Sequence, residues 1–251
     1  MKILGIESSS MAASAAVVAD DITSAEYTVN FKKTHSQTLL PMIDAIVTML
    51  ELDLAELDAI AISGGPGSFT GLRIGSATAK GLGMALDKPL IHVPTLDALA
   101  YNLYGASALL CPMMDARRNQ VYTGLYHCEK DLRVIKPGGS MDIGALAEEL
   151  NRRGETVIFL GDGAIAYREI LKQQLLIPHQ FAPAHVNGQR AASVAALGAI
   201  YLTQGRTEAA ADHRPDYMRK AQAERELEEA RRQGKTKDLA AGHSVGTGEV
   251  L

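Results

Sequence analysis

Residues 64–86 read GGPGSFTGLRIGSATAKGLGMAL and follow an apolar strand that ends at Ser63. A strand, a glycine-rich turn and a helix in this order can bind a phosphate, because the helix N-terminus presents free N–H groups. The stretch is not a P-loop of the GxxxxGK[ST] type, since Leu72 and Arg73 stand where Lys and Ser/Thr are required. Neither Ser63 nor Ser68 lies in the GxSxG frame of a hydrolase nucleophile. We therefore interpret the turn glycines mainly as conformational requirements, with an anion site beside Arg73 as the alternative.

The predicted helix over residues 70–86 contains unusually many small residues. A glycine inside a helix costs about 1 kcal/mol relative to alanine, and the helix has several. Gly71, Gly75, Ala79 and Gly83 recur at every fourth position, which places them on one ridge of the helix. We define these four residues as the glycine ridge. Such a ridge lets another backbone approach closely, so it predicts close packing either within the fold or against a partner.

The preceding helix, predicted over residues 36–52, is apolar on more than one side. The main apolar stripe consists of Leu39, Ile43, Ile46 and Leu50. Further apolar side chains lie beside this stripe, namely Met42, Ala45 and Met49. A helix with this pattern is buried on both sides, inside a larger fold or at a partner interface. Methionine suits interfaces that adapt to a partner.

The order of predicted elements indicates an α/β fold of two related lobes. Strands in a meander followed by alternating helices and strands occur twice, with the lobes predicted at residues 1–104 and 105–218. In the second lobe we expect a strand to end before a Gly138–Gly139 turn, one helix over AIAYREILKQQL and a short terminal strand at PDYMR. Residues 219–251 are predicted to form a charged helical or flexible tail.

Composition narrows the function classes. The net charge of −4 over 251 residues provides no general field that would attract nucleic acid. No apolar run is long enough to cross a bilayer, and the N-terminus lacks secretory features, so we expect a cytoplasmic protein with no membrane contact. The two cysteines, Cys111 and Cys128, are expected to be buried reduced thiols. No metal site is expected, because His35 has no second ligand nearby at metal spacing.

Two short motifs resemble the phosphate loops of actin-like ATPases. IESSS at the start of the chain places Glu7 and Ser8 after a strand, but Met11, Ala12 and Ala13 replace the expected glycine. The GDG at 161–163 resembles the second loop, with Asp162 as its chemical residue. These three residues, Glu7, Ser8 and Asp162, are weak nucleotide candidates, and ordinary turn chemistry explains the motifs equally well.

Seven segments together resemble the TsaB family, also called YeaZ, over about residues 1–222. They are GGPGSFTGLRIG, IESSS, THSQTLLPMI, PTLDALA, DARRNQVYTGLY, GDG and PDYMRKAQAE. The resemblance implies a two-lobed actin-like and Hsp70-like ATPase fold of RNase H-like topology. It also implies a role in forming threonylcarbamoyladenosine in tRNA.

The resemblance further implies a non-catalytic scaffold. The family has a catalytic paralog, TsaD, whose metal-binding histidines align here with Thr95 and Leu99, and neither residue can replace an imidazole. Implied partners are the TsaD-like paralog, a TsaE-like ATPase, a second copy when the protein is alone, and tRNA reached indirectly through the complex. No cofactor is required, and weak binding of ATP or ADP is compatible with this role.

The predicted helices near residues 36–51 and 70–86 are implied to form the partner interface. The expected interface residues are Leu39, Met42, Ile43, Ile46, Met49, Gly71, Leu72, Gly75, Ala79 and Gly83. Arg117 and Arg118, at the tip of a predicted hairpin, are the candidates for RNA contact, although hairpin tips are commonly only solvated. The alternative functions are an active actin-like ATPase or kinase, a glycoprotease-like enzyme, or a homodimer that binds nucleotide for stability alone.

Overall fold

Two mixed five-stranded sheets form the framework of the chain in a computed structural model that describes residues 1–218. The first sheet has the order β3-β2-β1-β4-β5. Its strands are β1 (Lys2–Glu7), β2 (Ala12–Ala19), β3 (Ile22–Asn30), β4 (Ala59–Gly65) and β5 (Leu90–Pro94). β1 and β4 are almost entirely buried, and their apolar runs are typical of central strands covered on both faces.

Helices cover both faces of the first sheet. On one face lie α1 (His35–Met49) and α2 (Phe69–Leu86), which share a core with alternate residues of β1, β2 and β4. On the other face lie α3 (Thr95–Tyr101) and the last helix of the described chain, Ala191–Thr203. The predicted positions of α1 and α2 are therefore confirmed to within a few residues.

The second sheet repeats the plan of the first. Its order is β8-β7-β6-β9-β10, from the strands β6 (Ala106–Asp115), β7 (Gln120–Cys128), β8 (Arg133–Asp142), β9 (Val157–Leu160) and β10 (His179–Phe181). Its helices are α4 (Ile143–Arg153), α5 (Asp162–Ala166), α6 (Arg168–Gln174) and α7 (Ala184–Asn187), followed by α8 (Ala191–Thr203). In both sheets the first three strands are antiparallel, and the last two run parallel to the central strand. The predicted α/β fold with a repeated order of elements is confirmed.

Helix α8 returns the chain to the first sheet. It lies within the range predicted for the second lobe, yet it packs on β1, β2 and β4. Gly5 of β1 makes this approach close, because a Cβ there would collide with the carbonyl oxygen of Ala191. Residues of both predicted lobes thus contribute to the packing of the first sheet, and Met1–Met218 form one compact unit.

Helix α3 joins the two sheets. Its Leu96 and Leu99 belong to a core that also contains Tyr126 of the second sheet. Asp97 of the same helix accepts hydrogen bonds from the hydroxyl of Tyr126 at 3.0 Å and from that of Tyr201 in α8 at 3.2 Å. Burial raises the pKa of Asp97 above its ordinary value, despite these two donors.

Three local predictions were wrong. The predicted Gly138–Gly139 turn lies inside β8, where Gly139 pairs with Thr123 of β7 and the register shifts just before it. The single helix predicted over AIAYREILKQQL is split at Tyr167, whose hydroxyl bonds to Asp115. PDYMR forms no strand over its described residues 215–218, and the fifth strand is instead β10, which the sequence pattern missed because it has only three residues.

The predicted tail at 219–251 lies outside the described residues. Among the helices of residues 1–218, none is long and apolar enough to span a bilayer.

The glycine ridge packs within the chain. A Cβ at Gly71 would collide with the backbone oxygen of Ser8, and one at Gly75 would collide with the Ser8 hydroxyl. Ala79 is fully buried, and a Cβ at Gly83 would lie 2.8 Å from the Cβ of Ala210. Close packing is thus present, with the end of β1 and the C-terminal segment as the neighbours.

This packing corrects the predicted partner interface. All of the expected interface residues except Met49 are buried in the chain itself, namely Leu39, Met42, Ile43, Ile46, Gly71, Leu72, Gly75, Ala79 and Gly83. Their small or apolar side chains fit the core of the first sheet. Periodicity correctly identified a packed face, but it could not identify which surface covers that face.

We predict opposite effects for the same substitution at two glycines of α2. Gly71→Ala should lower the free energy of unfolding by about 2 kcal/mol or more, because the new methyl group meets backbone that cannot rotate away. Gly81→Ala should raise it by about 1 kcal/mol, because no atom lies within 4 Å of the new methyl group. Urea unfolding measures both, and equal shifts would contradict the packing described for the ridge.

Candidate functional site

The loop after β1 is buried and closed on itself. Glu7, Ser8 and Ser9 are at most 1% exposed. The Glu7 carboxylate accepts a hydrogen bond of 2.6 Å from the backbone N–H of Ser9. Burial raises the pKa of Glu7 above its ordinary value, although the Ser9 N–H favours the ionised form.

This loop is bonded directly to the glycine-rich turn between β4 and α2. The hydroxyl of Ser8 donates to the carbonyl of Gly71 at 3.0 Å, and the N–H of Ser68 donates to the carbonyl of Ser9 at 2.6 Å. A Cβ at Gly67 would collide with that same Ser9 carbonyl. The two motifs that the sequence analysis singled out therefore form one unit.

Three N–H donors of the turn, those of Gly65, Ser68 and Gly71, are used inside the chain. Gly71 N–H donates to the Ser68 hydroxyl at 3.3 Å, and Gly65 N–H donates to the Thr95 hydroxyl at 3.1 Å. The Arg73 guanidinium lies 4.0 Å from the centre of the Phe69 ring. This arrangement favours the conformational interpretation of the turn over an anion site, because an anion needs free N–H groups.

Asp162 serves the local structure of the second sheet. Its carboxylate accepts hydrogen bonds from the N–H of Asp115 at 3.3 Å and from that of Gly163 at 3.0 Å. Burial raises the pKa of Asp162, and the neighbouring Asp115 carboxylate acts in the same direction. Asp162 thus joins the end of β6 to the start of α5 and lies on a different sheet from Glu7.

Thr95 and Leu99 have structural roles at the two positions aligned with histidines. Thr95 is fully buried and accepts the hydrogen bond from Gly65 N–H. Leu99 is 1% exposed and packs in the core between α3 and the second sheet.

Arg117 and Arg118 lie at the exposed tip of the β6–β7 hairpin. With Asn119 they adopt positive φ angles of 61°, 55° and 58°, a left-handed run that is uncommon for residues other than glycine. The N–H of Arg117 donates to the Asp115 carboxylate at 2.7 Å, which holds one end of the turn. The two arginines therefore lie on an exposed turn that is bonded to Asp115.

Helices α1 and α2 expose a second set of small and apolar residues. We refer to them together as the outer α1–α2 surface; its residues are Leu40 and Met49, which lie on opposite flanks of α1, and Ala77, Gly81 and Met84, which share one side of α2. Leu40 is 53%, Met49 86% and Met84 64% exposed. Of these, only Met49 was predicted as an interface residue. In the sequence, Gly81 could have indicated this surface, because it is a glycine inside a helix that does not lie on the glycine ridge.

The fold and these loops define a class of protein. Two sheets with the same strand order, joined by helices and carrying a loop after the first strand of each, form the duplicated RNase H-like architecture of the actin-like ATPase class. Here the first of those loops is closed on helix α2.

Comparisons with known proteins identify the family. Residues 29–227 match the family model described as TsaD: tRNA N6-adenosine threonylcarbamoyltransferase. The tRNA threonylcarbamoyladenosine biosynthesis protein TsaB of Bacillus subtilis is 33% identical over 227 residues, covering 89% of this chain and 96% of that protein. The TsaB of Escherichia coli is 35% identical over 148 residues, 55% of this chain and 63% of that protein. The chain belongs to the TsaB family.

A solved structure agrees with this assignment. YeaZ from Pseudomonas aeruginosa superposes with a TM-score of 0.74 at 25% identity, covering 86% of this chain and 99% of that one. The two-lobed actin-like fold expected from the resemblance is confirmed.

The buried carboxyl of Glu7 predicts a pH effect on stability. Because its pKa is higher in the folded chain, the native state holds the proton more tightly than the unfolded state. The free energy of unfolding should therefore fall as pH rises from the ordinary value of 4.5 through the folded pKa. Glu7→Gln should reduce this loss, which urea unfolding at a series of pH values measures.

Glu148→Gln, which alters an exposed carboxyl on α4, is the matched control and should keep the wild-type pH profile. The pKa values of Asp97 and Asp162 are also raised, so these two carboxyls likewise lower the free energy of unfolding as pH rises. Glu7→Gln should therefore remove only part of the pH effect. A Glu7→Gln profile parallel to that of the wild type would contradict the assignment.

Proposed function

We propose that this chain is a non-catalytic subunit for the threonylcarbamoyl modification of the adenosine beside the anticodon in tRNA. It binds and activates a TsaD-like transferase. The names of its TsaB relatives and the transferase family model that matches residues 29–227 support a role in this modification. The main support for the proposed binding to the transferase is the exposure of the outer α1–α2 surface.

Gly81 explains why this surface suits a partner. A glycine inside a helix costs about 1 kcal/mol, and within the described chain no neighbouring atom lies near its missing side chain. Ala77 and Met84 each lie about one turn from it, before and after it, on the same side of α2, so a partner helix can approach the backbone there and cover apolar area. Clustered exposed apolar side chains are typical of interaction sites.

The proposed occupant is the equivalent pair of helices in the TsaD-like protein. The transferase family model extends through α1 and α2 of this chain, which supports equivalent helices in the transferase. Two structurally related pairs can meet as a four-helix interface. In the absence of the transferase, a second copy of this chain occupies the same surface.

The bonding of the phosphate-loop remnants supports the non-catalytic role. The Ser8–Ser9 loop is packed on α2, and the donors at Gly65, Ser68 and Gly71 already have partners. In this proposal no cofactor is required, binding of ATP or ADP is weak, and a TsaE-like ATPase supplies nucleotide hydrolysis. The tRNA is reached through the assembled complex.

The interface proposal predicts a selective loss of association. Ala77→Arg should weaken binding to the TsaD-like transferase at least tenfold and reduce tRNA modification in the reconstituted system, because a long charged side chain then occupies the contact. Ala145→Arg, at an exposed alanine of α4, is the matched control and should retain both properties. Calorimetry measures the association, and mass spectrometry of tRNA nucleosides measures the modification.

Unchanged association of Ala77→Arg would contradict the proposed interface. Modification of tRNA, or appreciable ATP hydrolysis, by the purified chain alone would contradict the non-catalytic role and favour the ATPase or kinase alternative. The association measurement tests the proposed interface, and the assays of the chain alone test the non-catalytic role. Each part of the proposal can therefore fail without the other.

The hairpin tip gives a second prediction within this proposal. If Arg117 and Arg118 contact tRNA phosphates in the complex, replacing both with alanine should weaken tRNA binding to the complex and make it less dependent on salt. Association with the transferase should be unchanged, because the hairpin belongs to the other sheet. Equal tRNA affinity at every salt concentration would contradict the contact.

A further inference from the structure

Three potential metal ligands come together at the edge of the first sheet. His92 lies in β5, and Glu208 and His213 lie in the segment that follows α8. Their ligand atoms all lie within 4.8 Å of one another. Glu208 is held beside β5 by two backbone hydrogen bonds with Leu90, at 2.9 and 3.0 Å. No metal site was expected from the sequence, in which His92 lies more than a hundred positions before Glu208 and His213.

His213 is the central member of the cluster. Its imidazole is buried, with Nδ1 2.6 Å from a carboxylate oxygen of Glu208. Its Nε2 is also buried and has no hydrogen-bond partner among residues 1–218. Buried polar atoms without partners are rare, and an ion is one of the explanations that such an atom calls for. A histidine that binds metal through one nitrogen commonly donates its other ring N–H to a carboxylate, which is the arrangement at Nδ1.

His92 is held in place opposite His213. Its ring lies against Gly64, where a Cβ would overlap the imidazole. The centres of the two rings are 5.6 Å apart. Two imidazoles bound to one tetrahedral ion have ring centres about 5 Å apart, so only a small side-chain movement separates the observed geometry from a bound one.

The local charges favour a cation. His92 Nε2 lies 3.2 Å from a carboxylate oxygen of Asp216, so a second carboxylate adjoins the cluster. The nearby Lys80 ammonium is engaged by the carbonyl oxygens of Ala211 at 2.7 Å and His213 at 3.3 Å.

We propose that His92 and the unpartnered Nε2 of His213 bind one divalent transition-metal ion of the Zn²⁺ class, with Asp216 available to complete the coordination and Glu208 holding the His213 ring through Nδ1. Two imidazole nitrogens favour such an ion over Mg²⁺ or Ca²⁺, which prefer oxygen ligands. The ion fastens the segment at residues 208–216 to β5, and Asp216 N–H donates to the Gly64 carbonyl of the neighbouring strand β4 at 2.7 Å. The site does not depend on the proposed function.

Metal binding by the untagged full chain tests this site. After treatment with a chelator and addition of Zn²⁺, we expect about one equivalent of zinc per chain by elemental mass spectrometry. Excess Zn²⁺ at one hundred times the Kd should raise the Tm by about 5 °C or more. Co²⁺ in place of Zn²⁺ should give the visible absorption of a tetrahedral site.

His92→Gln should reduce the affinity for Zn²⁺ at least tenfold and abolish the rise in Tm. His127→Gln is the matched control, because His127 also lies on a strand, is 25% exposed and pairs with Glu155 at 3.3 Å, compared with 26% exposed and 3.2 Å for His92 and Asp216. It should bind Zn²⁺ as the wild type does. Absence of stoichiometric zinc in the wild type, or wild-type affinity in His92→Gln, would overturn the proposal. Because His92 is partly exposed, we expect His92→Gln to fold, and its zinc affinity tests the site even if His213→Gln fails to fold.

Discussion

The contact between Ser8 and the glycine ridge of α2 is the constraint on which the rest of the structure depends. Gly71 and Gly75 have no side chains, so the backbone at the end of β1 lies directly against the helix. The Ser8 hydroxyl then bonds to the Gly71 carbonyl, and the glycine-rich turn bonds to Ser9. The same contact that seats α2 on the first sheet therefore also closes the loop that holds phosphate in actin-like ATPases. Packing and the proposed lack of catalysis have one physical origin.

Helix α2 is unusual because it carries small residues on two of its sides. The glycine ridge faces the sheet, whereas Ala77 and Gly81 face outward. The inward glycines are compensated within the chain by close packing, but the cost of Gly81 has no compensation in the described residues. A binding partner provides a direct reason to retain such a residue, because a partner helix can approach the uncovered backbone. This separation of the two sides distinguishes residues needed for folding from those proposed for association.

Segments that are distant in sequence complete the packing around the first sheet. Helix α8 covers the face opposite α1 and α2, and the segment after it runs along β5 to bring Glu208 and His213 to His92. Asp97 of α3 meanwhile bonds to Tyr126 in the second sheet and to Tyr201 in α8. These contacts join residues far apart in sequence, so the predicted boundary near residue 104 divides the strands of the two sheets but not the packing between them.

The sequence by itself determined the order of elements from β1 to α3, the duplicated plan and the family, because apolar periodicity, turn residues and a distinctive glycine-rich motif are local properties. It also identified the glycine ridge as a closely packed face. Only the tertiary structure decided that Ser8 covers this face, that Gly138–Gly139 lies within β8, and that three-residue β10 completes the second sheet. Likewise it alone brought His92 to His213. Periodicity specifies which residues share a face, whereas the surface that covers that face depends on how distant segments meet.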